Sequence, residues 1–394
     1  MPARFGPPKP LQFGGGISNL WRGHKRLDSA NNLPMAPGLF FNSARSAIAF
    51  ILKNLPSSYG NDVIVTGFTC SAVTDSVMAV KKNILTIDIN QDLTLPFEQI
   101  ERYINLGARI LLLQNTFGIP GLTENQISYL RQKGIFVIID NSLSYGTKIG
   151  SRDIGTFGDV EVQSFEVSKT ITCGWGGRLI FHLAEARVKN NCLSAYENIE
   201  NQKTISALLE RYQLSLSTSF INHYRKYGFL VWYILYGLKI FRKSNIKLKK
   251  FHKNIYKINK YNNIELQKLL LCNEEIYETV AKNYMTLQKF CTDLNMRCID
   301  LSNSHEGMRI VSPRFSIILR KPIDEFVYQL FDKYKIDYGR WFDELPLKTI
   351  DSHKLVNTKY LNAHIINLPI HFTIRGSDLE AIKCFIKDLR DNDY

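Results

Sequence analysis

Short apolar runs alternate with longer segments of helical period from about residue 40 to residue 182. Within the helical segments, apolar side chains recur three or four residues apart, as Val73, Val77 and Val80 do, which a helix that covers a sheet requires. This alternation is typical of βαβ units and predicts a mainly parallel sheet between helices. The predicted strands occupy 63–68, 84–89, 109–114, 136–140, 160–165 and 178–182, and the predicted helices occupy 44–55, 71–81, 96–106 and 123–133.

The pattern changes after residue 185, first to polar helical sequence and then to a basic and aromatic block. A β-rich apolar run returns at 315–320, and the helical segments at 322–335 and 377–390 complete a small α+β domain. The Pro- and Gly-rich N-terminus lacks the continuous apolar core of a secretory signal. We therefore predict an N-terminal arm (1–38), a large domain (39–190), a helical basic and aromatic segment (191–270) and a small C-terminal domain (271–394).

Most of the net charge of +14 comes from one segment of the chain. Between Glu210 and Glu265 the chain has no acidic residue and twelve Lys or Arg, so the remainder is nearly neutral. The apolar run 227–241 is shorter than the roughly 20 residues that a membrane-spanning helix needs. A buried helix pair with a solvated basic face is the first interpretation of this segment. Peripheral binding of 227–260 to an anionic membrane surface, at its inner face, is the second.

Two further features limit the class of protein. The seven cysteines are scattered, without a CxxC pair or a Cys/His cluster at metal-ligand spacing, so we predict reduced thiols in a cytoplasmic protein and no metal site. No recognisable nucleic-acid-binding motif accompanies the basic segment, so we expect no nucleic acid as partner.

The stretch from Asp140 to Gly177 carries the candidate chemistry. Asp140 ends an apolar strand, and ligands bind at the carboxyl ends of strands in an open parallel sheet. Lys169 lies among small residues after the next strand, and a desolvated lysine is a nucleophile that forms imines. The stretch Ser43, Ala44, Arg45 and Ser46 opens a predicted helix, whose N–H groups and dipole favour phosphate.

These residues satisfy most of the needs of pyridoxal phosphate (PLP), which requires an amine, an acid at its ring nitrogen, phosphate donors and a flat contact for its ring. Lys169 is the candidate amine and forms the Schiff base with the cofactor. Asp140, when ionised, keeps the ring nitrogen protonated. Ser43 to Ser46 and the hydroxyl of Ser164 are the candidate phosphate donors. Of the four requirements, the flat contact for the ring has the weakest candidate in the sequence.

A series of motifs resembles the DegT/DnrJ/StrS-type sugar aminotransferases, which are PLP enzymes of fold type I. The resemblance covers about 40–185 and 310–390 and implies a mainly parallel, seven-stranded-type sheet between helices, a smaller C-terminal α+β domain and a homodimer. The motifs are SARSAI (43–48), VTGFTCSAV (65–73), TIDIN (86–90), NTFG (115–118), IIDNSLSYG (138–146), GDVEVQSFEVSK (158–169), CGWGG (173–177), YGRWFDELP (338–346) and NLPIH (367–371).

The sequence departs from the family's pattern at three positions. Leu143 stands where the family has a glutamine that touches the ring oxygen of the cofactor, and Cys70 stands where an aromatic side chain often stacks on the ring. Asn115 stands where the family often has histidine. The resemblance still places Cys70 and Leu143 at the cofactor. Lys169 is retained, which argues against the sugar dehydratase branch, where histidine replaces the lysine.

Five further residues have plainer interpretations. We expect Asp159 to order the loop before the lysine strand. Phe117 and Trp175 are candidates for lining the pocket, although buried aromatic side chains are common. For His371 and Arg340, a core or surface position is the favoured interpretation.

The resemblance implies an aminotransferase that moves an amino group from an amino acid such as glutamate to a keto sugar carried by a nucleotide. Lys169 then acts as general acid and base. Another PLP reaction, such as a lyase or racemase step, and a non-catalytic scaffold or binding protein that has kept the fold are alternatives. A nucleic-acid-binding role of the basic segment is a third.

Overall fold

The computed structural model describes residues 36–166, 169–205, 255–271, 273–299, 307–334, 354–372 and 376–394, together with Ile336, Phe342 and Ile374. The predicted N-terminal arm before residue 36 lies outside the described residues. So do the basic and aromatic segment between 206 and 254 and Arg340.

Seven strands form the central sheet, and the sequence pattern predicted six of them. Their spatial order is β3-β2-β4-β5-β6-β7-β1, with the strands numbered as follows. They are β1 (Leu39–Phe41), β2 (Asp62–Thr66), β3 (Asn83–Ile87), β4 (Ile110–Gln114), β5 (Phe136–Asp140), β6 (Val160–Ser164) and β7 (Gly177–Phe181). The pairs from β3 to β6 are parallel, and β7 lies antiparallel to both β6 and β1. The predicted mainly parallel sheet is confirmed.

Helices cover both faces of this sheet. Those that accompany it are α1 (Ala44–Asn54), α2 (Ser71–Ala79), α3 (Phe97–Asn105), α4 (Glu124–Gln132) and α5 (Ala186–Glu197). Apolar residues of α1, α2 and α5 pack on one face with the side chains of Val65, Ile138 and Val162. Those of α3 and α4 pack on the other face with the side chains of Leu111 and Ile139. Alternate residues of each central strand are therefore buried on opposite faces, which explains their continuous apolar runs.

Each predicted helix of the sheet region begins within one residue of its observed start, and local side chains cap three of the four, whereas α3 follows Pro96 without a side-chain cap. The hydroxyl of Ser43 accepts the N–H of Ser46 at 3.2 Å at the start of α1. Thr123 and Gln126 form a capping box at the start of α4.

The smaller region is built on an antiparallel pair of strands, β8 (Arg314–Ile318) and β9 (Ile365–Pro369). Its helices are α6 (Lys260–Leu271), α7 (Asn273–Asp293), α8 (Glu325–Lys333), α9 (Val356–His364) and α10 (Gly376–Asp391). Helix α8 starts three residues later than the apolar pattern predicted, because the Asp324 side chain accepts the N–H of Val327 and caps the helix there. The predicted α+β character is confirmed.

A buried carboxylate joins the two regions. Asp88 follows β3 and accepts the N–H groups of Asn357 at 2.9 Å and Thr358 at 2.8 Å, in the first turn of α9. It also accepts the hydroxyl of Thr358 at 2.7 Å. Leu355, the residue before α9, contributes no side-chain cap, so Asp88 caps this helix from another part of the chain.

We expect Asp88→Ala to lower the free energy of unfolding by about 2 to 3 kcal/mol, because it removes a helix cap and leaves buried donors without their acceptor. Urea unfolding measures this change. Asp92→Ala is the matched control, since Asp92 is exposed and its carboxylate bonds only the nearby Thr94. An equal loss in both variants would show that Asp88 does not anchor α9.

Candidate functional site

The site begins at Asp140, the last residue of β5. Its partners in register are Gln114 on β4 and Val162 on β6. Side chains of residues in register point to the same face of a sheet, and so does a residue two positions along the same strand. Asp140 and Ser164 therefore share the face that α1 covers, at the carboxyl ends of their strands.

Gly177 brings the start of α1 onto this edge of the sheet. It pairs with Ser164 across β6 and β7. A Cβ atom at Gly177 would lie 2.3 Å from the backbone nitrogen of Ala44 and from the carbonyl carbon of Ser43. Only glycine allows this approach, so the first turn of α1 lies on the same face as the hydroxyl of Ser164. The phosphate donors predicted from the sequence are thus near one another.

The two serines of the SARS stretch have different surroundings. Ser46 is fully buried, and its hydroxyl donates to Oδ1 of Asn42 at 2.7 Å. The hydroxyl of Ser43 lies 3.0 Å from it and is half-buried. The hydroxyl of Ser46 is therefore part of the helix cap, whereas Ser43 and the first N–H groups of α1 lie nearer the open end of the helix.

Arg45 is oriented toward α2. Burial raises the pKa of Asp75 on α2, and the charge of Arg45 opposes that shift. This charge interaction favours Arg45 as the partner of a carboxylate rather than as a ligand of a phosphate.

Lys169 is held by a loop that folds back on β6. The N–H of Phe165 donates to the carbonyl of Gly176 at 2.9 Å, and the N–H of Cys173 donates to that of Phe165 at 3.2 Å. The N–H of Lys169 donates to the carbonyl of Glu166 at 3.0 Å. These backbone bonds place the half-buried lysine close enough to Asp140 for its charge to act on that carboxyl.

Asp140 is only 4% exposed. Burial raises the pKa of its carboxyl above the usual range, while the hydrogen bonds of Ser142, whose N–H lies at 3.0 Å, and the charge of Lys169 lower it. The ionised form predicted from the sequence therefore depends on cationic and N–H groups close to it. A ligand with a protonated ring nitrogen meets that requirement.

The two departures that the resemblance placed at the cofactor differ in exposure. Cys70 is the exposed N-cap of α2, and its Sγ accepts the N–H of Ala72 at 3.4 Å. Leu143 is buried and has no polar atom in its side chain. Asn115 is buried too, and its Oδ1 accepts the N–H of Gly121 at 3.0 Å, so it holds the backbone of its own loop.

Sequence reasoning missed Gln114, the neighbour of Asp140 on β4. Its Oε1 accepts the hydroxyl of Thr69, and its Nε2 donates to the carbonyl of Phe68 at 3.2 Å and to the hydroxyl of Thr116 at 2.7 Å. Gln114 thus fixes the turn that leads to Cys70. A polar residue that ends an otherwise apolar strand, beside the strand of Asp140, was the available signal.

The remaining candidates differ in burial and in partners. Asp159 has the expected structural role, because it accepts Nε of Arg131 at 2.9 Å and the N–H of Val137 at 2.8 Å. Phe117 is fully buried, and Trp175 is half-buried. His371 is a core residue, as favoured from the sequence: burial and the charge of Arg314 lower its pKa to about 4.

The sheet order, with helices on both faces and a lysine after β6, defines the fold of the PLP-type aminotransferases. Residues 33–207 match the sequence model of the DegT/DnrJ/EryC1/StrS aminotransferase family. The resemblance predicted from the motifs is confirmed over this part of the chain.

Two curated relatives match part of the chain. The GDP-perosamine synthase of Escherichia coli O157:H7 is 28% identical over 135 residues, which are 34% of this chain and 37% of the relative. The dTDP-4-dehydro-2,3,6-trideoxy-D-glucose 4-aminotransferase of Saccharopolyspora spinosa is 24% identical over 164 residues, which are 41% of this chain and 42% of the relative. The matched part of the chain thus spans about two fifths of the length of these relatives.

Solved structures share the whole fold. A DegT DnrJ EryC1 StrS aminotransferase from Brucella abortus superposes with a TM-score of 0.67 at 18% identity, over 94% of this chain and 89% of that one. The PLP-form of the putative sugar aminotransferase Spr1654 from Streptococcus pneumoniae gives 0.67 at 14% identity, over 91% and 88%. The likeness therefore extends beyond residue 207, into the smaller region.

Proposed function

We propose that this protein is a PLP-dependent aminotransferase that transfers an amino group from an amino acid such as glutamate to a nucleotide-linked keto sugar. The observation that carries the proposal is the position of Lys169 beside the buried Asp140, on the sheet edge where α1 begins. The sugar aminotransferases among the relatives support the substrate class.

The residues at this edge fit PLP. Lys169 is the amine that would hold it, and Asp140 is the acid for its ring nitrogen. Ser164, Ser43 and the backbone at Ala44 and Arg45 are the phosphate donors. In this proposal Ser46 contributes through the helix cap that it stabilises, and Cys70 and Leu143 line the ring.

When bound, PLP supplies an electron sink for the carbon that carries the amino group. Once the amine of the donor has displaced it from the cofactor, Lys169 Nζ would move a proton from that carbon to the cofactor, as general base and then general acid, and in the acceptor half it would move a proton from the cofactor to the sugar carbon. Asp140 orients the cofactor and holds a negative charge next to it. Asp140 comes from the end of β5, whereas Lys169 is positioned by the backbone bonds of the loop after β6.

Leu143 favours a second candidate within the same cofactor chemistry. An apolar side chain cannot donate a hydrogen bond to the ring oxygen, which changes the electronic balance of the cofactor. Another PLP reaction on the same site, or a binding protein that has kept the fold, is therefore the alternative that experiments have to separate from transamination.

We expect the protein to take up PLP with a visible absorbance band, and borohydride reduction to attach the cofactor covalently to Lys169. Lys169→Ala should lose the label, whereas Lys189→Ala, which removes an exposed lysine of α5, should retain it. Mass spectrometry of the reduced protein locates the label. Addition of glutamate should convert the band to that of the aminated cofactor. A lack of PLP uptake at saturating cofactor would support the binding protein, and uptake without conversion would support another PLP reaction.

We expect Asp140→Asn to lower turnover by about 10²- to 10³-fold, in the range for loss of one electrostatic stabiliser, and to lower cofactor occupancy much less. The amide keeps the size of the side chain but carries no charge. Turnover rates at saturating PLP, with occupancy from the visible absorbance, separate the two effects. Turnover equal to that of the parent protein would make Asp140 a structural residue.

The family resemblance leads us to propose a homodimer as well, since sites of this fold type are completed by a neighbouring subunit. We propose a cytoplasmic location with peripheral binding at the inner membrane face through 227–260, supported by the basic and aromatic sequence of that segment. No helix within the described ranges is long and apolar enough to cross a membrane. The cysteines in those ranges are not joined by disulfide bonds.

We expect the protein to sediment with anionic vesicles and not with neutral ones, because a basic residue near an anionic surface gains roughly 1 kcal/mol. Binding should weaken with salt and be lost when Lys247, Lys249, Lys250 and Lys253 are replaced by Glu. A substitution of four lysines outside the segment, Lys53, Lys133, Lys189 and Lys282 to Glu, is the control. Equal absence of binding to both vesicle types would leave the segment as core with a solvated basic face.

A further inference from the structure

A buried polar cluster lies on the face of the sheet opposite the proposed cofactor site. Glu161 and Gln163 alternate along β6 with Val160, Val162 and Ser164, and therefore point away from α1. Glu161 is 4% exposed. None of the chemistry proposed for Lys169 and Asp140 uses this carboxylate, although burying it is costly unless its oxygens are bonded.

The oxygens of Glu161 are well supplied with donors. Its Oε1 accepts Nδ2 of Asn141 at 2.9 Å and Nε2 of Gln163 at 2.8 Å, and its Oε2 lies 3.0 Å from Nε2 of His182. A Cβ atom at Gly155 would lie 2.3 Å from the carboxyl carbon, so the backbone encloses the group on a further side. Burial alone would raise the pKa of Glu161, but these hydrogen bonds outweigh it and lower the pKa below the usual range. The carboxylate is ionised.

Asn141 connects this carboxylate to the site, because it directly follows Asp140. Its N–H donates to the carbonyl of Val162 at 2.9 Å, and its Oδ1 accepts Nδ2 of Asn115 at 3.1 Å. The N–H of Asn115 in turn donates to the carbonyl of Asp140 at 3.1 Å. The carbonyl of Asp140 is thus bonded by Asn115, and Asn115 is bonded by Asn141. The side chain of Asn141 in turn donates to Glu161.

We propose that Glu161 is a positioning residue for Asp140, which it fixes through Asn141 from the opposite face of the sheet. The catalytic consequence rests on the proposed function, whereas the mechanical link does not. An ionised acceptor makes stronger hydrogen bonds than a neutral one, so Glu161 holds the Asn141 amide more firmly than a neutral side chain would. Loss of this hold leaves the turn after β5 free to open locally.

Asp159, the residue directly before β6, provides a matched control. It is 7% exposed and also buried on bonding partners, but these are Arg131 and the N–H of Val137, at the other end of the sheet. Replacing either carboxylate by its amide removes one buried negative charge. Only the replacement of Glu161 acts on the turn that carries Asp140.

The test is hydrogen exchange of the backbone amides in peptides that cover 138–146, measured on the full chain without added PLP. We expect Glu161→Gln to speed exchange there by about tenfold or more, equivalent to 1.4 kcal/mol of local opening. Asp159→Asn should leave these peptides unchanged and speed exchange near 131–137. His182→Gln retains an Nε2 donor and should stay close to the parent protein.

Asn141→Ala is the second variant, and it keeps His182 and Gln163 on Glu161. We expect it to speed exchange in the same peptides. In the double variant with Glu161→Gln, the two effects on exchange should be less than additive, because both substitutions break the same hydrogen bond. Unchanged exchange at 138–146 in Asn141→Ala, or the same increase in Asp159→Asn, would overturn the proposal. These readings hold even if Glu161→Gln does not fold.

A second readout uses the PLP form. Glu161→Gln should shift the visible absorbance band and its pH dependence, which a loss of global stability alone would not do, and Asp159→Asn should not. If Lys169 takes no label, the proposed function fails and the exchange experiment still decides the role of Glu161. If the label forms but exchange at 138–146 and the band are unchanged in Glu161→Gln, the role of Glu161 fails alone.

Discussion

The carboxylate of Asp140 lies at the end of a buried strand, where burial raises its pKa, and the surrounding groups offset only part of the cost of ionising it there. The N–H of Ser142 bonds one of its oxygens, and the charge of Lys169 acts from the loop after β6. This arrangement requires strand ends at one edge of a parallel sheet, which in turn requires helices between consecutive strands. The seven-stranded architecture is thus the means of placing a lysine beside a carboxylate.

The sheet separates the polar groups of this edge by face. Gln114, Asp140 and Ser164 share one face with the start of α1. Glu161 and Gln163 share the other face with Asn141 and His182, where the polar atoms bond one another. Buried parallel strands are usually apolar, so a strand with polar residues on both faces near its carboxyl end is unusual. The polar residues on each face have hydrogen-bond partners of their own.

Much of this arrangement follows from local sequence. The helices were predicted because apolar period and capping residues such as Ser43 and Thr123 both lie within a few residues of each start. Asp140 and Lys169 were predicted because strand ends and motif spacing are local too. Strand β1 was missed, since three residues have too few alternations to define a strand, and its pairing with β7 is a contact between distant residues.

The details that sequence could not supply depend on such distant contacts. Gln114 fixes the turn before Cys70 because Thr69 and Phe68 reach it from another loop. Cys70, which the resemblance placed at the cofactor ring, lies exposed as a helix cap. The type of a residue indicates which hydrogen bonds its side chain can make, whereas the fold determines which partner lies within reach.

The turn after Asp140 has its shape fixed by the protein itself. The hydroxyl of Ser144 donates to the carbonyl of Asn115 at 2.6 Å and accepts the N–H of Gly118 at 2.8 Å, so two loops are joined on the side away from α1. Leu143 lies within this turn and is buried by it. Because hydrogen bonds set the turn without a ligand, its apolar side chain is presented in one position, and binding need not spend free energy on ordering it. A site with fewer polar contacts to its ligand can then retain affinity, because less conformational entropy is lost on binding.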